Sequence, residues 1–86
     1  MPEISRFYGI IVRMYFADHN PPHFHAYYGD ASVEIDIVRL AVMAGELPPR
    51  ALALVLEWAA LHQAELLALF NTAQQNQPIH KIDPLP

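Results

Sequence analysis

His23 and His25 are one residue apart, and His19 stands four residues before the first of them. On a β-strand, side chains two apart leave the same face, so the HFH at 23–25 sends both imidazoles one way. Two imidazole nitrogens offered together can hold a divalent metal such as zinc. Between His19 and His23 runs Asn20-Pro21-Pro22. The two prolines fix φ and remove two backbone donors, which stiffens the segment and keeps His19 near the pair. The candidate metal ligands are therefore His19, His23 and His25. A carboxylate beside an imidazole instead orients it for acid–base work. Glu34 and Asp36 offer that, and Arg13 is a candidate to bind an anion on the same face or to pair with Glu34. Opposite charges facing one another on an exposed strand are also ordinary surface pairing, so both readings stand at this point.

These residues share a face only if the elements around them take one register. Gly29-Asp30 separates two strand-like runs, His23 to Tyr28 and Ala31 to Ile37, and glycine first in a two-residue loop suits a type II′ hairpin. That register pairs Tyr28 with Ala31, Ala26 with Val33, His25 with Glu34, and His23 with Asp36. Phe24, Ala26, Val33 and Ile35 then form a core face. His23, His25, Tyr27, Ser32, Glu34 and Asp36 form a polar one. Phe7 to Phe16 reads as a central strand, with Tyr8, Ile10, Val12, Met14 and Phe16 on one side, and Ala17 to Pro22 reads as a loop. Leu40 to Ala44 reads as a short fourth strand ended by Gly45.

Pro48-Pro49 suits the start of a helix, where a missing N–H costs nothing. The helix is expected to run to about Asn76. Leu52, Val55, Leu56, Ala59, Leu66, Phe70 and Ala73 recur at helical spacing on one stripe, whereas Leu54, Trp58 and Leu61 lie off it. Such a helix is about 40 Å long, twice the span of a six-residue strand, so it must overhang its sheet or break. The overhang makes Leu54, Trp58 and Leu61 a candidate interface with a second chain; the alternative is that the tail covers them. Ile79, Ile82 and Leu85 are placed to dock that tail, residues 77–86, against a sheet edge. His62, at the margin of the stripe, reads as a packing residue, and His80 as a solvated one. The expected fold is α+β, one domain over residues 1–86: an antiparallel meander of about four short strands (sheet about 7–44) packed on one long C-terminal helix (about 49–76), with an extended tail.

Composition sets the outer limits. The chain has 86 residues, of which 53% are hydrophobic and 16% charged, which is too apolar for a disordered segment. A core of this size leaves a stability of roughly 3–5 kcal/mol. Cysteine is absent, so disulfides, thiolate metal ligands and a thiol nucleophile are excluded, in keeping with a cytoplasmic location. A net charge of −4 speaks against a polynucleotide partner, and against Tyr15, Tyr27 and Tyr28 serving as a stacking surface for bases. No apolar run approaches the roughly 20 residues of a membrane span, and MPEISRF has no signal-like apolar stretch. No phosphate-binding glycine loop, dinucleotide fingerprint or serine-nucleophile motif occurs.

The segment HNPPHFHAYYG at 19–29 resembles the signature of a bacterial family, number 4160 of the domain-of-unknown-function series. MPEISRFYGIIVRMYFADH, RALALVLEWAALH and PIHKIDPL are similar to its opening strand, helix and tail, so the resemblance covers nearly the whole chain. His19, Pro21, Pro22, His23, His25, Tyr28 and Gly29 occupy the signature positions. Phe70 stands where the family is expected to have Trp, and His80 where it is expected to have Lys. The resemblance brings no catalytic residues with it. It implies one half of a toxin–antitoxin-like pair. Two functions follow as expectations. The first is a small cytosolic interaction module of such a two-component regulatory pair, carrying the His-rich site and working as a homo-oligomer or with a small cognate protein. The alternative is a small metal-dependent or acid–base enzyme, acting on phosphodiesters, built on His19, His23, His25, Glu34 and Asp36.

Overall fold

In the computed structural model, which describes residues 2–86, the single strand expected over residues 7–16 is instead the end of one strand, a turn and a second, shorter strand. β1 (Glu3–Phe7) turns at Tyr8-Gly9 into β2 (Ile10–Arg13). Tyr8 and Gly9 have φ of 50° and 80°, the left-handed pair that a tight hairpin with right-twisted strands requires. Gly9 takes this conformation freely, and the tyrosine before it hides the turn from a reading based on strand-forming side chains. β3 (His23–Tyr28), β4 (Ala31–Asp36) and β5 (Ala41–Glu46) complete a five-stranded antiparallel sheet in sequence order.

The β3–β4 register is the expected one, with His23 opposite Asp36, Phe24 opposite Ile35, His25 opposite Glu34 and Ala26 opposite Val33. Phe24, Ala26, Val33 and Ile35 are buried with Ile10, Val12 and Met14 of the neighbouring segment. Gly45 does not end the fourth of the expected strands; it lies inside β5, with φ of 76° and its α-carbon so close to the Ser32 carbonyl that any side chain there would collide.

The expected single helix is two helices. α1 (Pro49–Leu61) and α2 (Gln63–Gln74) are bent by 85° at His62. No proline or glycine causes the break; length does. The molecule measures 33 × 25 × 22 Å, which a rod of about 40 Å would overrun, and the bend lets both segments lay apolar faces on the same sheet. Val55, Trp58 and Ala59 of α1 and Leu66, Phe70 and Ala73 of α2 are buried. Gln63 fastens the corner by donating from Nε2 to the carbonyls of Ile37 and Val38 at 2.8 and 3.1 Å. Among the described residues no single helix is long and apolar enough to cross a membrane.

The bend also changes what Trp58 does. It is completely buried within its own chain, 5.4 Å from the Phe7 ring and 5.6 Å from the Phe24 ring between centroids. Its Nε1–H donates to the Asp83 carbonyl at 2.8 Å. The tail runs along β1, where Ile82 N–H donates to the Ile4 carbonyl at 2.7 Å, and Ile82 and Leu85 are buried. Trp58 is therefore not on the surface where an interface with a second chain was expected. Of the three residues grouped there, Leu54 is half-buried and Leu61 is exposed. Trp58→Ala should lower the unfolding free energy by about 3–5 kcal/mol, close to the whole stability of a chain this small. Trp58→Phe, which keeps a ring but leaves the Asp83 carbonyl without its donor, should cost about 1 kcal/mol. Urea denaturation followed by circular dichroism measures both.

Candidate metal centre

β3 begins at His23, where the 17–22 loop meets the sheet. The loop is held at both ends. Ala17 N–H donates to the Ala73 carbonyl at the end of α2 at 3.0 Å, and the Pro22 carbonyl accepts from Ile37 N–H at 3.0 Å. The Asn20–Pro21 peptide is cis. The fastened loop sets Asp18 against the first turn of β3, where it faces both imidazoles. Asp18 Oδ2 lies 3.0 Å from His23 Nε2 and 3.4 Å from His25 Nε2. The three ligand-type atoms of Asp18, His23 and His25 fall within 4.8 Å of one another and can hold a metal ion. Tetrahedral zinc with ligands at about 2.0–2.1 Å separates them by roughly 3.4 Å, close to the two contacts made by Oδ2.

The hydrogen bonding of His23 makes the arrangement one-sided. Its side chain is fully buried, and Nδ1 sits 2.7 Å from the Pro21 carbonyl. A carbonyl only accepts, so Nδ1 carries the proton, and in a neutral ring Nε2 is left as a bare lone pair. Nε2 is buried with no hydrogen-bond partner. It points into a region holding the Asp18 carboxylate at 3.0 Å and Glu34 Oε1 at 3.9 Å, both of which only accept when ionised. With the ring neutral, lone pairs face lone pairs; a proton on Nε2 or a metal cation between the groups relieves that. Phe70 packs against the back of the ring with centroids 5.7 Å apart, and so serves as the aromatic anchor expected at that position. His25 is less buried and meets the edge of Tyr15 at 4.6 Å between centroids.

Burial pushes the Asp18 carboxyl up, but the His19 N–H, the His25 ring and the nearby imidazoles outweigh it and hold the group below its ordinary 3.8. Tyr15 and Tyr27 share a hydroxyl–hydroxyl contact of 2.5 Å, and burial with that contact pushes Tyr27 up to about 12. The Arg13 guanidinium lies over the Tyr27 ring, 5.2 Å from its centroid.

The sequence-based candidates divide. His23 and His25 come together in the cluster with Asp18. His19 does not join them: its side chain is 77% exposed and Nδ1 is turned to Asp18 Oδ1 at 3.0 Å. Asp36 stands opposite His23, but its Oδ1 accepts the backbone N–H groups of Val38 and Arg39 at 2.8 and 2.9 Å, which fixes the turn after β4. Glu34 stays at the margin of the site. Arg13 is opposite His25 on β2 and makes no ion pair with Glu34. Tyr28 lies on the other side of the sheet from Tyr15 and Tyr27, so the three form no common surface. His62 packs on Trp58 at 5.6 Å between centroids. His80 is exposed but not merely solvated, since Nε2 lies 3.1 Å from Glu65 Oε2. Asp18 was the residue missed. The available signal was a carboxylate five positions before an HxH strand and inside the same proline-stiffened loop.

A family model described as Domain of unknown function (DUF4160) matches residues 9–71, a span that contains Arg13, Asp18, His23, His25 and Glu34. No curated protein and no solved structure matches the chain.

Because the Asp18 pKa is lowered on folding, its contribution is fully present above the unfolded value and is lost as pH falls through the folded one. Asp18→Asn should therefore be less stable than wild type at about pH 5, and the gap should narrow as pH falls below about 4. Urea midpoints of the two proteins, taken at matched pH without metal, measure that gap.

Proposed function

The chain belongs to the DUF4160 family, defined as a domain of unknown function, and from its own site we propose a small metal-dependent enzyme in which Asp18, His23 and His25 hold one divalent ion such as zinc. The single observation carrying this reading is the buried, unpartnered Nε2 of His23 facing the Asp18 carboxylate at 3.0 Å. Three protein ligands leave a four-coordinate ion one open position, the pattern of catalytic rather than structural zinc. An ion held there would supply Lewis-acid activation of water near neutral pH. Glu34, 34% exposed and 3.9 Å from His23 Nε2, would be the general base at the margin of the site. The Pro21 carbonyl on His23 Nδ1 is the outer partner that fixes the tautomer a ligating imidazole needs. The absence of cysteine keeps the ligand set to nitrogen and oxygen and agrees with a cytosolic setting.

A second reading, the interaction module of a toxin–antitoxin-like pair, draws support from a different surface. All six residues of β5 are exposed, Val42 and Met43 among them, and Leu61 is 64% exposed. An uncovered apolar edge strand is a template for another chain, a second copy or a small cognate protein. This surface does not overlap the histidines, so replacing them separates the two readings.

Calorimetric titration of tag-free protein at pH 7.5 should show one zinc per chain. Binding should weaken at pH 5.5, because protons compete for the imidazole nitrogens. His23→Ala/His25→Ala and Asp18→Asn should each abolish or sharply weaken it, while His19→Ala should leave it within a few-fold. Zinc binding that is absent, or that survives the double substitution, would end the metal reading.

A further inference from the structure

Arg13 is placed beside the triad with no anion of its own. Its cross-strand neighbour on β1 is Glu3, whose carboxylate is taken by Arg6 at 2.7 and 3.2 Å. Its neighbour on β3 is His25, a member of the triad. Among the described residues no carboxylate lies within ion-pair distance of Arg13, and its Nε is buried without an acceptor. The guanidinium is held over the Tyr27 ring, and Tyr27 is in turn tied through its hydroxyl to Tyr15, which packs on His25. An arginine held on the sheet face that carries His25, with no carboxylate partner, is a binding group for an oxyanion.

On the reading that the triad binds a metal, we infer that the site takes the phosphoryl group of a small phosphate monoester, whose oxygens the metal and the Arg13 guanidinium would share. The number of oxygens selects the class. A carboxylate has two, so it must share one oxygen between the metal and the guanidinium; a phosphate monoester has three unesterified oxygens and meets both without sharing. Charge agrees. A divalent ion with Asp18 and Arg13 leaves two positive charges at the site, one after Glu34 is counted, which suits a phosphate ester anion. The net charge of −4 over the whole chain repels a polyanion, so the ester is a small molecule rather than a nucleic-acid backbone. The same assignment explains why an acidic chain with few cations keeps one of them half-buried on this face.

Cobalt-loaded wild-type protein and Arg13→Gln, titrated with inorganic phosphate and separately with acetate, test this through the visible absorption of the bound cobalt. Cobalt affinity should be equal in the two proteins, which also shows that the variant folds. Phosphate should shift the wild-type bands and saturate at about tenfold or more lower concentration than acetate. Arg13→Gln should weaken phosphate about tenfold to a hundredfold and leave acetate within a few-fold. Equal phosphate binding by both proteins, or no preference over acetate, overturns the assignment while the metal site stands. Failure of wild type to bind cobalt overturns the metal reading and this inference with it.

Discussion

The β3–β4 hairpin can meet in one register only, because each of its strands has a core face and a polar face. Shifting the pairing by a single residue would drive Phe24, Ile35 and Val33 into solvent and bury Glu34. That constraint fixes more than the core. It places His23 and His25 on one side of the sheet, sets Arg13 beside His25 through the next strand, and leaves the start of β3 facing the 17–22 loop. The loop is then anchored to α2 through Ala17 and to the end of β4 through Pro22, so Asp18 is presented to the two rings by structure on both sides. The candidate site is thus a by-product of strand pairing and loop anchoring, and needs no element of its own.

The register was legible because alternation and a glycine-first turn both point to it. The site was half legible. The HxH spacing picked out two of the three residues that cluster, and the third comes from the proline-stiffened loop, as Asp18 and not the expected His19. The sequence does not show which loop side chain turns inward. His19 and Asp18 are adjacent in the chain and point in different directions, and the contacts that fasten the loop at Ala17, Asp18 and Pro22 set which of them faces the rings. Asp36 misled for a related reason. A carboxylate at the end of a strand has two uses, and here the backbone N–H groups of the following turn claim it.

Longer-range decisions were less visible. The break at His62 has no local signature, since neither neighbour is a helix breaker; it follows from the size of the sheet, which cannot support a rod of that length. Trp58 follows from the break. A tryptophan off the main stripe looks like an interface residue on a straight helix, whereas on the bent one it faces the tail that donates the Asp83 carbonyl to it. The first hairpin was hidden because its turn uses Tyr8 where Asn or Gly is usual. These features share a cause: each is settled by what packs against the segment, and that information lies far away in the chain.

On the metal reading proposed above, the His23 Nε2 lone pair, with Nδ1 committed to the Pro21 carbonyl, is reserved for a cation shared with Asp18 and His25. Long-range proton–nitrogen NMR of the imidazoles at neutral pH, without metal and with one equivalent of zinc, reads this directly. His23 should keep its Nδ1 proton throughout, and the Nε2 resonances of His23 and His25 should move together to metal-bound positions as zinc is added, while His19, His62 and His80 stay still. A His23 ring protonated on Nε2 and bare on Nδ1, or a His23–His25 pair unchanged by zinc, would contradict it.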